Sequence, residues 1–160
     1  MINSESIFHC IIIDDNPSTF TIIDNYIRLL NGFTIDRTFT SPLEGLSFLK
    51  ENVIDLLFLD IDMPEINGMD LLNLIEKTSQ YGTPAVILTT AHTEVALPAL
   101  RSSKFTRGIL CKPFSYDDFL VTLEKIRSIT QFDRVLHINQ ELSENSENFL
   151  FVKTKANSLK

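Results

Sequence analysis

The chain predicts an α/β fold, a doubly wound sheet of five parallel strands with helices on both faces. Three observations predict it. Apolar strand-like runs recur at Ile7 to Ile13, Phe33 to Phe39, Asp55 to Asp60, Pro84 to Thr90 and Phe105 to Cys111. The strongest of them are apolar almost without a break, as strands covered on both faces must be. The segments between them carry helix start and stop signals, so successive strands are joined by crossovers, and right-handed crossovers place helices on both sides.

Taken in order, Ile11-Ile12-Ile13 closes the first strand ahead of Asp14-Asp15. Asn16-Pro17 then puts an N-cap before a proline at the first helical position, and Phe20, Ile23, Ile27 and Leu30 follow at helical spacing. Asn31-Gly32 stops that helix. Phe33 to Phe39 alternates apolar and polar residues, the mark of an edge strand with one wetter face. Ser41-Pro42 repeats the start signal before Leu43, Leu46, Phe48 and Leu49. Leu56-Leu57-Phe58-Leu59 is a buried strand closed by Asp60, and Asn67-Gly68 precedes Met69, Leu71, Leu72 and Ile75. After the fourth strand, Thr93-Glu94 opens a helix carrying Val95, Leu97 and Leu100, which Pro98 weakens or kinks. Ser115 with Asp118 three residues on opens the last helix as a capping-box-like start, ahead of Phe119, Leu123 and Ile126.

The 160 residues allow one well-buried domain and an appendage. The first domain is expected over 1–130. Residues 131–148, including the acidic stretch Glu141 to Asn148, are a linker or a solvated extension of the last helix. Phe149-Leu150-Phe151-Val152-Lys153 starts a new strand-like run, too short for a domain, so 149–160 is expected to be the truncated start of a second one. The net charge of −7 disfavours non-specific binding to nucleic acid or anionic membrane. Cys10 and Cys111 lie in apolar runs and are expected as buried, reduced thiols; neither belongs to a CxxC or Cys/His cluster, so zinc has no support. No segment reaches transmembrane length, and Met1 to Glu5 lacks a basic start, so a cytoplasmic protein is expected.

The chemistry sits at strand ends. In parallel sheets, ligands bind in the crevice outside the carboxyl ends of the strands. If the first and third strands are neighbours, Asp14, Asp15 and Asp60 converge there and repel one another unless a cation joins them. Mg²⁺ is the natural candidate, a hard ion held by carboxylates, waters and phosphate oxygens. Phosphoryl transfer to a carboxylate needs a nucleophilic Asp, a metal, and donors for the phosphoryl oxygens. Asp60 fits the nucleophile, Asp14 and Asp15 the metal holders. Thr90 supplies a hydroxyl at the fourth strand end and Lys112 an ammonium at the fifth. Alone, each is an ordinary turn residue, strand residue or surface lysine. Their co-occurrence on one rim is what points to a site.

Together, Ile12-Ile13-Asp14-Asp15, Leu59-Asp60-Ile61-Asp62-Met63-Pro64 with Asn67-Gly68, Thr90-Ala91 and Lys112-Pro113-Phe114 resemble the receiver domain of two-component response regulators over about residues 6 to 130. The resemblance implies the flavodoxin-like (CheY-like) fold with strand order 2-1-3-4-5. It implies that Asp60 is the phosphoacceptor, charged by a histidine kinase's phosphohistidine or by small acyl phosphates. It implies that Asp14, Asp15, Asp60 and the backbone carbonyl of Asp62 hold Mg²⁺, that Lys112 pairs with Asp60 and then with a phosphoryl oxygen, and that Lys112-Pro113 is cis. Thr90 would move to bond another phosphoryl oxygen. Such a domain is a signalling acceptor in a phosphorelay rather than an enzyme, beyond self-phosphorylation and autodephosphorylation. Phosphorylation would promote a homodimer through the fourth helix, fifth strand and fifth helix.

Phe149 to Lys153, and Thr89-Thr90-Ala91-His92 followed by Glu94-Val95-Ala96-Leu97, resemble a LytTR-type transcriptional regulator. DNA would then be bound only by a further C-terminal domain. One departure stands out. The family usually has Tyr or Phe three residues before the strand-end lysine, and here that residue is Ile109, stiff at χ1 and without a ring to swing. Asp62 and His92 occupy positions that influence loss of the phosphoryl group; His92 is expected to be a solvated loop residue. Two rivals remain. Asp60-Ile61-Asp62 also fits the core of haloacid-dehalogenase-type phosphatases, although Met63-Pro64 follows where Gly or Thr is usual, and an Asp-Asp strand precedes. The other rival is a receiver-like binding module that is never phosphorylated.

Overall fold

In the computed structural model, which describes residues 7–78 and 82–128, strands and helices alternate along the chain. They are β1 (Phe8–Ile13), α1 (Pro17–Ile27), β2 (Phe33–Phe39), α2 (Pro42–Glu51), β3 (Leu56–Asp60), α3 (Gly68–Thr78), β4 (Ala85–Thr90), α4 (Thr93–Ser102) and β5 (Thr106–Cys111). A fifth helix, α5, covers 116–128. The strands form one parallel sheet in the order β2-β1-β3-β4-β5. Each strand ends on the residue expected from the sequence, because a charged or polar residue or a turn signal closes every apolar run. β2 is an edge strand, with Asp36, Arg37 and Thr38 exposed.

The chain divides into two units, residues 1–123 and 124–160. The sheet lies in the first; of the second, the described residues 124–128 are helical. The linker expected at 131–148 and the second domain expected from 149 lie outside the described residues. Among the described residues, no helix is long and apolar enough to cross a membrane.

Alternation along the buried strands divides the core in two. Ile11, Ile13, Leu57, Leu59, Val86 and Leu88 pack with Leu46 and Leu49 of α2, Leu71, Leu72 and Ile75 of α3, and Ala96 and Ala99 of α4. The opposite face carries an aromatic cluster in which Phe58 stacks on Phe119 at 5.7 Å and Tyr26 of α1 meets Phe119 at 5.3 Å.

The helix signals act as expected at their starts. Asn16 accepts from the Ser18 amide at 3.0 Å, and Ser115 and Asp118 cap each other's backbone amides at 3.1 and 3.2 Å. Donation from Ser115 also holds the Asp118 carboxyl below its ordinary range. Two expectations need correction at ends and edges. Leu30 is not on α1: the helix stops at Ile27, and the amides of Arg28, Leu29 and Leu30 turn back onto Asp24, Tyr26 and Ile27 before Gly32 takes the left-handed φ of 86°. Cys111 is exposed, because β5 is the other edge of the sheet; Cys10 is buried as expected, and burial pushes its thiol strongly up. Pro98 sits inside α4, which continues past it to Ser102 while Ala96 and Ala99 stay buried. The proline costs the helix the amide that would bond the Glu94 carbonyl.

Candidate functional site

Parallel pairing brings four strand ends to one rim. Ile13 pairs with Leu59, so Asp14, just past β1, stands beside Asp60, the last residue of β3. Asp60 in turn pairs with Thr89, and Thr90 with Cys111, which sets Thr90 and Lys112 on the same edge. The condition that the first and third strands be neighbours is met, at the point where the strand order reverses. Carboxylate oxygens of Asp14, Asp15 and Asp60 lie within 4.8 Å of one another.

Charge in this cluster is unbalanced. Asp14 and Asp60 are buried and Asp15 is exposed. Lys112 Nζ donates to Asp14 Oδ2 at 2.8 Å and stands 3.4 Å from Asp60 Oδ1. Lys112 thus pairs with both buried carboxylates, Asp14 being the nearer. With one ammonium shared, Asp60 is pushed up from 3.8 to about 6, chiefly by burial and then by the Asp14 charge. The Asp62 amide, which donates to Asp60 Oδ1 at 3.1 Å, and Lys112 oppose this without cancelling it. Burial pulls Lys112 down, but its bond to Asp14 and the charges of Asp14 and Asp60 outweigh that and raise it. An all-oxygen donor set with excess negative charge and one exposed member suits a hard divalent cation. Among the described residues, these three carboxylates are the cluster able to hold one.

The segment after Asp60 is shaped by a glycine. The Gly68 amide donates to the Ile61 carbonyl at 3.1 Å. A Cβ at Gly68 would collide with the Asp60 carbonyl oxygen and stand 2.7 Å from Ile61 Cα. Asn67 accepts from the Met69 amide at 2.8 Å and starts α3. Asn67-Gly68 is a helix start, as read from the sequence, but Gly68 also lets α3 abut the backbone of Asp60. That role was missed; a glycine eight residues after a strand-end aspartate is too common to signal it.

Asp62 brings the least expected contact. Its Oδ2 accepts from the Thr90 hydroxyl at 2.9 Å and from the Ala91 amide at 3.2 Å, so its side chain engages the β4–α4 loop. Thr90, fully buried, also accepts from the His92 amide at 2.9 Å. His92 is exposed at the start of α4, 3.6 Å from Glu94, as a solvated residue would be. Ile109 is half-buried against the α2–α4 side of the core. The Lys112–Pro113 bond is cis.

Known proteins similar to this chain are numerous. The family described as response regulator receiver domain matches residues 10–124. The chain is 29% identical over 117 residues to the transcriptional regulatory protein MalR of Bacillus subtilis, covering 73% of this chain and 49% of MalR. It is 28% identical over 134 residues to the sensory transduction protein LytR of Staphylococcus haemolyticus, covering 83% of this chain and 51% of LytR. The chain thus spans about half the length of these relatives. Among solved structures, the response regulatory domain of protein mrkE from Klebsiella pneumoniae matches with a TM-score of 0.66 at 25% identity, covering 76% of this chain and 97% of that one. Strand order, rim residues and family match agree: the chain belongs to the response regulator receiver domains of two-component signalling systems.

Proposed function

We propose that Asp60 is the phosphoacceptor, taking a phosphoryl group from the phosphohistidine of a histidine kinase or from a small acyl phosphate. Asp60 Oδ attacks phosphorus, the bond from phosphorus to the donor breaks, and the donor keeps the electron pair. The observation that carries this reading is Asp60 itself, a buried carboxylate beside two others with one shared ammonium. Asp14, Asp15, Asp60 and the Asp62 backbone carbonyl would hold Mg²⁺, which when bound offsets the charge of carboxylates and phosphoryl oxygens. Lys112 and Thr90 would bond two phosphoryl oxygens of the product.

The Asp62 carboxylate is taken up by Thr90 and Ala91, which diverts it from the general-acid role a phosphatase requires. That favours an acceptor over an enzyme. Exposed Val95, Leu97 and Leu100 on α4 and Val121 on α5 support a phosphorylation-promoted homodimer through α4, β5 and α5. A transcriptional output in the cytoplasm, through a LytTR-type DNA-binding domain, is the further reading; the run at Phe149 to Lys153 and the similarity to MalR, a transcriptional regulatory protein, and to LytR support the output.

Incubation with acetyl phosphate and Mg²⁺ tests the reading by intact mass. One phosphoryl group is expected, lost in Asp60→Asn and in chelator. An unmodified wild type favours the inert module, and repeated turnover of p-nitrophenyl phosphate favours the phosphatase.

A further inference from the structure

We propose that the Asp62 carboxylate is a latch that holds Thr90 and the start of the β4–α4 loop in the resting arrangement, in competition with the phosphoryl group on Asp60. This rests on Asp60 being the phosphoacceptor. Three observations carry it. A single oxygen, Asp62 Oδ2, accepts both the Thr90 hydroxyl at 2.9 Å and the Ala91 amide at 3.2 Å. A threonine hydroxyl has one proton to donate, and Asp62 is its nearest acceptor, ahead of the His92 carbonyl at 3.3 Å. Asp62 is tied to the reacting residue from the other side, because its own amide donates to Asp60 Oδ1 at 3.1 Å.

The competition follows from these positions. Donation from Thr90 to a phosphoryl oxygen requires that its bond to Asp62 break, and Ala91 is released from the same acceptor atom. A dianionic phosphoryl group on Asp60 also repels the Asp62 carboxylate two residues away. The latch therefore sets how much of the binding energy of the phosphoryl group goes into rearranging the loop. Freed motion would reach the N-terminal end of α4 first. Its C-terminal end is tied separately: Ser103 Oγ donates to Glu76 Oε1 of α3 at 2.5 Å and accepts from the Phe105 and Thr106 amides. Asp62 acts through Thr90 and is a positioning residue.

Beryllofluoride with Mg²⁺ serves as the phosphoryl mimic, with affinity measured by calorimetry on the full chain for wild type, Asp62→Ala, Thr90→Val and the double variant. Asp62→Ala is expected to bind roughly three- to tenfold more tightly, a part-buried hydrogen bond to a charged group being worth less than a fully buried one. In the Thr90→Val background the same change is expected to have a clearly smaller effect, since only relief of charge repulsion and of the Ala91 contact remains, and Asp62→Asn, which keeps an acceptor, should fall between. Equal tightening in both backgrounds would show simple relief of charge repulsion and overturn the latch, as would no tightening. A second readout needs no ligand: Asp62→Ala should accelerate hydrogen exchange at the Ala91 amide, and unchanged exchange also overturns it. A wild type that binds no beryllofluoride with Mg²⁺ refutes the phosphoacceptor reading itself and takes the latch's function with it.

Discussion

Replacing Asp60 by Asn should stabilise the metal-free protein at neutral pH, although it removes the residue on which function depends. The Asp60 carboxyl is 2% exposed and raised from 3.8 to about 6 by burial and by Asp14. Because the folded state holds this proton more tightly than the unfolded state, wild-type stability falls as pH rises through the window between those values. At about 1.36 kcal/mol for each tenfold change in proton affinity, ionised Asp60 costs the fold about 3 kcal/mol at most above that window. Asn has nearly the same shape and no charge, but it loses the attraction of Lys112, 3.4 Å away. A net gain of about 1 to 3 kcal/mol is therefore expected at pH 7.5. Urea midpoints in chelator, followed from pH 4 to pH 8, measure it. The gap should be near zero at pH 4, where Asp60 is protonated, and full at pH 7.5. Excess Mg²⁺ should close it by stabilising the wild type through binding. An Asn variant less stable at pH 7.5, or a gap that ignores pH, would refute the electrostatic account of the site.

Two further substitutions probe its supports. Lys112→Met strips the shared ammonium from two buried carboxylates and should cost about 3 kcal/mol in chelator at pH 7.5. The loss should be smaller at pH 5, where Asp60 is largely protonated; the Lys112 contribution itself fades only above its ordinary 10.5, its proton being held more tightly when folded. Gly68→Ala should cost about 1 to 3 kcal/mol, since its Cβ meets the backbone of Asp60 and Ile61. It should also slow phosphoryl uptake from acetyl phosphate, while a conservative change at Leu71, deeper in the same helix, should affect stability alone.

The C-terminal strand ends were legible because each is marked locally, by Asp14, Asp60, Thr90 or Lys112 at the close of an apolar run. Sidedness then followed from the rules of crossovers, and strand order from the resemblance to receiver domains. What stayed hidden depends on contacts distant in sequence. Lys112 reaches across 98 positions to Asp14, and nothing local ranks that partner above Asp60. Asp62 and Thr90 are 28 residues apart, and a carboxylate two places after a strand end signals nothing about a hydroxyl on the next strand. Cys111 misled because its run is apolar, whereas its exposure is set by β5 lying at the sheet edge. Leu30 kept the helical period after the backbone had turned, a reminder that periodicity outlasts its helix by a residue or two.

The most direct test of the central claim is where the phosphoryl group goes. Hydroxylamine converts an acyl phosphate into a stable hydroxamate, releasing phosphate, so peptide mapping after treatment with acetyl phosphate and Mg²⁺ reports the acceptor. The hydroxamate is expected on Asp60 and on no other carboxylate. A hydroxamate on Asp14, Asp15 or Asp62, or none on a protein that has bound Mg²⁺, would contradict the account.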